Sequence, residues 1–274
     1  MDEVGTTPSR VRGRVTSRDG TPIAYERYGD GRHDGRPPVV LVSGALGTAA
    51  AERPLAGLLA RRFPVVAYDR RGRGASGDTG PYAVQREIED LAAVVGAAGA
   101  GAALHGTGTG GALALAAVAA GLAAGPVSVY EPPYYTAEAV VWRREVAALL
   151  DRGLPDAALD RFLADAAVPA APRTGAAELA HTLAYDLAVL GDGVVPERHL
   201  ARVHARVLVV DGGASPTATR RAARALTAAL PRARHRTLTG QTPEVAPHVL
   251  APVLRDFLAE EWEDGEDRRD REAA

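Results

Sequence analysis

The sequence predicts an α/β fold: a mostly parallel central sheet, covered by helices on both faces, with an all-helical insertion late in the chain. Three observations carry this reading. Short β-branched runs alternate with helical stretches, which requires parallel strands joined by crossover helices. The run from His105 to Gly111 (HGTGTGG) joins a strand to a helix through a sharp glycine turn. Between Tyr134 and Val203 only helical patterns occur, and strand signals resume at Ala205.

Taken in order, Asp19-Gly20 opens a β-hairpin candidate over Thr21–Tyr28 after a polar start. Pro38–Gly44 (PVVLVSG) reads as a fully buried strand ending in a glycine loop. Leu55–Arg62 is a short helix and Pro64–Asp69 the next buried strand. Tyr82–Val95 has the spacing of an amphipathic helix, with Glu and Asp expected on its outer face. Gly101–Leu104 leads as a strand into the glycine turn, and Ala112–Ala120 leads out as a helix. Pro126–Glu131 is a further strand.

Helices broken at Pro155, Pro169, Pro172 and Pro196 follow, then strands at Ala205–Asp211 and His235–Leu238 and a last amphipathic helix over His248–Glu260. Glu261–Ala274 is dense in mixed charge and reads as a disordered tail. The expected organisation is a core of residues 1–133 and 204–260, a helical cap of 134–203 and a tail of 261–274.

Composition narrows the function classes. The chain has 274 residues and 46% apolar content, enough for one large domain with its own core. A net charge of −2 provides no basic face for nucleic acid. Cysteine, lysine and asparagine are absent, which removes thiol nucleophiles, Schiff-base and P-loop lysines, disulfides and Asn-containing triads. No metal-ligand spacing occurs, so no metal is expected. With neither a signal-peptide core nor an unbroken apolar span, the expectation is a cytoplasmic protein with no membrane partner. The sequence gives no reading of the oligomeric state.

The glycine turn fits two patterns. As G-x-S-x-G it is a nucleophile elbow with Gly108 in the serine slot. As G-x-G-x-x-G, through Gly106, Gly108 and Gly111, it is a dinucleotide fingerprint, with Glu131 near the place of the ribose-binding acid. Two strand–helix units precede this turn, whereas the fingerprint belongs on the first strand of its unit. Gly72–Gly77 fits the same glycine pattern, so the pattern discriminates little here. The elbow reading is preferred, and no cofactor is expected.

Seven motifs then stand in order: Ser43–Gly47 (SGALG), Tyr68–Gly77 (YDRRGRGASG), Glu87–Leu91 (EIEDL), the elbow, Tyr130–Pro133 (YEPP), Asp211–Pro216 (DGGASP) and Gly240–Val245 (GQTPEV). Over roughly Asp19 to Leu258 they make the chain resemble the α/β-hydrolase superfamily, in its cap-bearing actinobacterial type. The resemblance implies the α/β-hydrolase fold and a Ser–His–acid triad, of which two roles are absent. Gly108 holds the nucleophile slot, and Pro243 holds the histidine slot with neither a proton acceptor nor an N–H. Ser215 occupies the usual acid slot. Glu131 ends the preceding strand, an acid position used by some relatives, and is either an orphan acid or a structural carboxylate.

The oxyanion loop is retained, with Ser43 in place of the usual histidine and Gly44 in the turn. The Ala45 and Thr109 N–H groups are expected to converge on one oxygen at the helix N-terminus beside Gly108. From the cap, His181 and Tyr185 share a helix face, and Tyr134 and Tyr135 stand at its entrance. Each either meets substrate or packs the cap. Asp69 with Arg70 and Arg71 reads as an anchor for the glycine loop, and His105 as a hydrogen-bonded core histidine.

Conventional serine hydrolysis is therefore disfavoured. The expectation is carbon-acid chemistry (epimerisation, isomerisation or cyclisation) on a small molecule or peptide, with Glu131 and His181 as candidate catalytic groups. In this the chain resembles the atypical triad-less members, such as the peptide epimerase of bottromycin biosynthesis. The alternatives are a ligand-binding pseudoenzyme and a residual, esterase-like hydrolase.

Overall fold

A computed structural model describes residues 9–29, 36–134, 141–165 and 173–272. Tyr135 lies outside them. Among the described residues the core is one eight-stranded sheet in the order β1-β2-β4-β3-β5-β6-β7-β8. β1 (Arg10–Thr16) and β2 (Pro22–Tyr28) form the hairpin around Asp19-Gly20, and β2 pairs antiparallel with β4 (Val65–Tyr68). All later pairings are parallel, through β3 (Val39–Val42), β5 (Ala103–Thr107), β6 (Val127–Tyr130), β7 (Val207–Gly212) and β8 (Ala233–Leu238). The first arm of the hairpin falls within the polar start; it is a largely exposed edge strand, with Val15 packed against the main core.

Residues of β3 to β7 are buried on both faces, which is why they read as continuous Val/Leu runs. One face packs on α2 (Val84–Ala98), α3 (Thr109–Ala119), α8 (Glu197–Leu200) and α9 (Thr217–Ala229), through Leu91, Leu113, Leu200 and Leu226. The other packs on α1 (Arg53–Leu59) and α10 (Pro247–Glu272), through Leu59 and Leu254. The backbone of α10 thus continues as helix into the charged stretch read from sequence as a disordered tail.

Between β6 and β7 the chain forms α4 (Val141–Asp151), α5 (Pro155–Asp165), α6 (Arg173–Leu179), a 3-10 turn at Ala180–Thr182 and α7 (Leu183–Leu190). Their small cores, around Val146, Ala158 and Leu183 and around Leu159, Ala176 and Ala180, both pack against Leu46. Leu46 sits in the oxyanion loop at φ +56°, so the cap closes directly over that loop. Leu190, Leu200, Val203 and Tyr134 belong to the main core, so both ends of the insertion are built into the body of the protein.

Candidate functional site

Gly108 alone turns the chain from β5 into α3, at φ +52° and ψ −126°. Side chains rarely adopt this backbone, which costs on the order of 1–3 kcal/mol when forced. A Cβ placed there would meet only the Gly44 Cα at 3.9 Å, so the nucleophile slot is open space. The flanking glycines have a different reason. A Cβ on Gly106 would lie 2.5 Å from the Gly111 Cα, and one on Gly110 would lie 2.1 Å from the Val42 carbonyl oxygen. They let α3 sit directly on β3 and β5.

The oxyanion loop runs against the elbow, since a Cβ on Gly44 would lie 2.9 Å from the Thr107 carbonyl oxygen. Among the described residues, neither the Ala45 nor the Thr109 N–H has a loop or turn carbonyl as acceptor. Thr109 opens α3, so no helical carbonyl precedes it. Ser43 points inward: its Oγ is buried without a partner, and its Cβ is packed where a Gly47 side chain would go.

Glu131 is one residue from the elbow, because the Gly108 N–H donates to the Tyr130 carbonyl at 2.9 Å. Its φ is +46°, and it is buried. Oε1 accepts the Gly212 N–H at 2.7 Å, while Oε2 has no donor. Burial raises its pKa, the Ser215 hydroxyl and the Gly212 N–H pull it down, and Asp211 adds to the rise. Ser215 Oγ is itself buried.

The Gly240–Pro243 loop docks on the same spot. The Thr242 carbonyl accepts the Tyr130 hydroxyl at 2.5 Å, and the Gln241 carbonyl accepts the Ala214 N–H at 2.9 Å. Pro243 thus stands on a docked loop with no imidazole to offer. His105 is buried with Nδ1 2.8 Å from Ser128 Oγ, and burial lowers its pKa to about 4, so it is a neutral core histidine.

Beneath the elbow lies an ion-pair network that the sequence reading placed wrongly. Glu87 and Asp90 were expected on the outer face of their helix, yet both are buried. Arg70 pairs with Glu87 through Nε and with Asp186 of α7 through Nη1, both at 2.7 Å. Arg71 pairs with Asp90 at 2.7 Å, and Arg73 with Asp186 at 2.8 Å. Arg73 also donates to the Gly44 carbonyl at 2.6 Å, and Thr109 Oγ1 donates to Asp186 at 2.6 Å. Three arginines leaving one loop can be buried only with carboxylates turned in to meet them. Asp69 anchors that loop as expected, accepting the Ala49 and Ala75 N–H groups at 2.7 and 2.9 Å.

Asp186 was the missed residue. Its sequence signal is an acid inside the apolar helix Leu183–Leu190 (LAYDLAVL). Burial alone would raise its pKa, but Arg73, Arg70 and the Thr109 hydroxyl together hold it below the ordinary range. It fixes the cap to the first residue of the elbow helix.

The other cap candidates stand elsewhere. His181 is 46% exposed, with Nε2 3.5 Å from Asp78, Nδ1 against the Glu178 carbonyl and its ring edge-on to Tyr185. None of these contacts is an elbow residue or Glu131. Tyr185 donates to Asp78 at 2.9 Å and stacks on Tyr82 at 3.9 Å, which makes it a seam between cap and core. Tyr134 is buried in the main core.

The family model for the alpha/beta hydrolase family matches residues 39–262. The chain belongs to the alpha/beta hydrolase family. An α/β hydrolase from Sphaerobacter thermophilus DSM 20745 is 45% identical, with a TM-score of 0.81 over 89% of this chain and 99% of that one. A hydrolase from Pseudomonas aeruginosa PA01 is 23% identical (TM-score 0.68, 89% and 98% covered). A haloalkane dehalogenase variant from Bradyrhizobium elkanii is 18% identical (TM-score 0.72, 95% and 100% covered). The last two show the shared α/β-hydrolase fold alone. No curated protein matches the sequence. Among the described residues no helix is long and apolar enough to cross a membrane.

Proposed function

We propose that this α/β-hydrolase-family protein is non-hydrolytic and performs carbon-acid chemistry on a small molecule or peptide: epimerisation, isomerisation or cyclisation. One observation carries the reading. The elbow is fully formed but empty, with open space at Gly108 beside the Ala45 and Thr109 N–H groups. Such amides stabilise a developing enolate oxygen as they would a tetrahedral one, and no nucleophile is there to divert the substrate into an acyl-enzyme. This reading assigns the proton transfer to Glu131, whose buried Oε2 has no aligned donor and which follows the residue that accepts the Gly108 N–H. His181 plays no part in this reading.

The test is incubation with panels of peptides and small carbonyl compounds in D₂O, read by mass spectrometry. Deuterium at an α-carbon, lost in Glu131→Gln, is the expected result. Ligand binding with no exchange at any carbon would sink the proposal in favour of a binding protein. Residual hydrolysis is the second reading, favoured by the 45% identical Sphaerobacter hydrolase. It predicts turnover of activated esters that survives in the Thr107→Val and Thr109→Val variants only if another nucleophile acts. The non-hydrolytic reading predicts none.

A further inference from the structure

The oxyanion loop is a strained turn, and the cap restrains it. Gly44–Gly47 closes through the Gly47 N–H on the Gly44 carbonyl at 3.1 Å, with Leu46 as its third residue at φ +56°. Glycine or asparagine usually fills that place, and a leucine stays there only when its surroundings impose it. Two restraints are present, and both depend on the cap. The Leu46 side chain packs against both small cap cores. Arg73, wholly buried, donates through Nη1 to the Gly44 carbonyl at 2.6 Å and through Nη2 to Asp186 of α7 at 2.8 Å.

The Gly44–Ala45 peptide is trans, so its C=O and N–H point in opposite directions. With the carbonyl fixed on Arg73, the Ala45 N–H is turned away from the guanidinium, and it has no acceptor among the described residues. Gly44 itself lies against the elbow, its Cβ position 3.7 Å from the Gly108 Cα. A guanidinium on the carbonyl also polarises the peptide and makes its N–H a stronger donor. The same Asp186 accepts the Thr109 hydroxyl at 2.6 Å, so one cap carboxylate restrains both residues that carry the oxyanion amides. We propose that Arg73, anchored by Asp186, is the positioning residue of the anion site: it fixes the turn so that the Ala45 N–H is presented to an oxyanion at Gly108. This rests on the reading of the Ala45 and Thr109 amides as an oxyanion site.

The experiment is amide NMR on the full-length protein at pH 7, with sodium acetate as the oxyanion probe at constant ionic strength. Labelling glycine with ¹³C at the carbonyl, and alanine and threonine with ¹⁵N, selects amides that follow glycine, Ala45 and Thr109 among them. Both should shift along one acetate binding curve in the parent. In Arg73→Met the acetate affinity should fall about tenfold or more, as for losing one hydrogen bond to a charged group, and Thr109 alone should still respond. Arg73→Lys, which keeps a cation for the carbonyl, should restore part of the Ala45 response. Arg71→Met is the control: this equally buried arginine of the same loop pairs with Asp90 and Asp19, so its loss should leave both responses intact. If Arg73→Met does not fold, the double variant with Asp186→Asn, in which no carboxylate is left short of its cation, gives the same reading. An Ala45 response unchanged in the folded variant, or lost equally in Arg71→Met, overturns the positioning role and leaves the anion site standing. Acetate that moves neither amide in the parent overturns both.

Discussion

Replacing Gly108 by alanine isolates the strain of the elbow from its packing. The added Cβ meets one atom, the Gly44 Cα at 3.9 Å, which is ordinary contact, so no steric repulsion opposes it. What remains is the backbone, φ +52° with ψ −126°, forced on a residue that avoids it. That costs about 1–3 kcal/mol, and the stiffer unfolded chain returns roughly 0.4–1 kcal/mol of destabilisation. The net expectation is a loss of about 1–2 kcal/mol, a fall in Tm on the order of 2–8 °C for a domain of this size. Differential scanning calorimetry and urea unfolding of Gly108→Ala against the parent measure it. Gly110→Ala is the control: its Cβ would lie 2.1 Å from the Val42 carbonyl oxygen, and backbone must move. It should cost more than Gly108→Ala or prevent folding. A Gly108→Ala protein as stable as the parent would refute the strained-elbow reasoning, and with it the idea that glycine here relaxes a hydrolase turn.

Three further outcomes follow from the same contacts. Gly108→Ser alone should show no esterase activity, and any activity on activated esters should require Pro243→His as well, because a serine without a base stays protonated; activity in the single variant refutes this. Asp186→Asn leaves Arg70 and Arg73 buried with one charge fewer and should destabilise by about 3–5 kcal/mol. It should also speed hydrogen exchange in α7; unchanged protection there would show that the cap is held by Leu46 packing instead. Glu52 is pushed up to about 7 by burial alone. A raised folded pKa for an acid gives stability that is full below the unfolded pKa and declines as pH rises from about 4.5 toward 7. Glu52→Gln should therefore flatten the stability profile across that window and be more stable than the parent at pH 8. A parallel-shifted profile would refute the assignment.

Much of the fold is legible in the sequence because parallel strands buried on both faces and amphipathic helices leave patterns in hydrophobicity alone. The hairpin partner Arg10–Thr16 is harder to read: as a largely exposed, arginine-rich edge strand it gains most of its order from hydrogen bonds to β2, with little apolar burial to mark it. Glu87 and Asp90 mislead for the opposite reason. Polar residues on a helix read as solvent-facing, and only a guanidinium arriving from a loop 17 to 19 residues earlier reverses that for both.

The site divides along the same line. By itself the sequence determined what is missing, since Gly108 and Pro243 lack the atoms a serine hydrolase needs whatever surrounds them. It also marked Ser43 to Gly47 and Glu131 as the parts that remain. Tertiary structure alone decided what surrounds those parts. It turned His181 and Tyr185 toward Asp78, buried Tyr134 in the core and set Asp186 beneath the elbow. It also put His235 beside Asp211 and the Gly212 N–H on Glu131. The physical reason is distance along the chain. Hydrophobic period reports which way a residue faces within its own element, whereas a charge or proton is governed by neighbours within a few ångströms, which here come from strands and helices tens of residues apart.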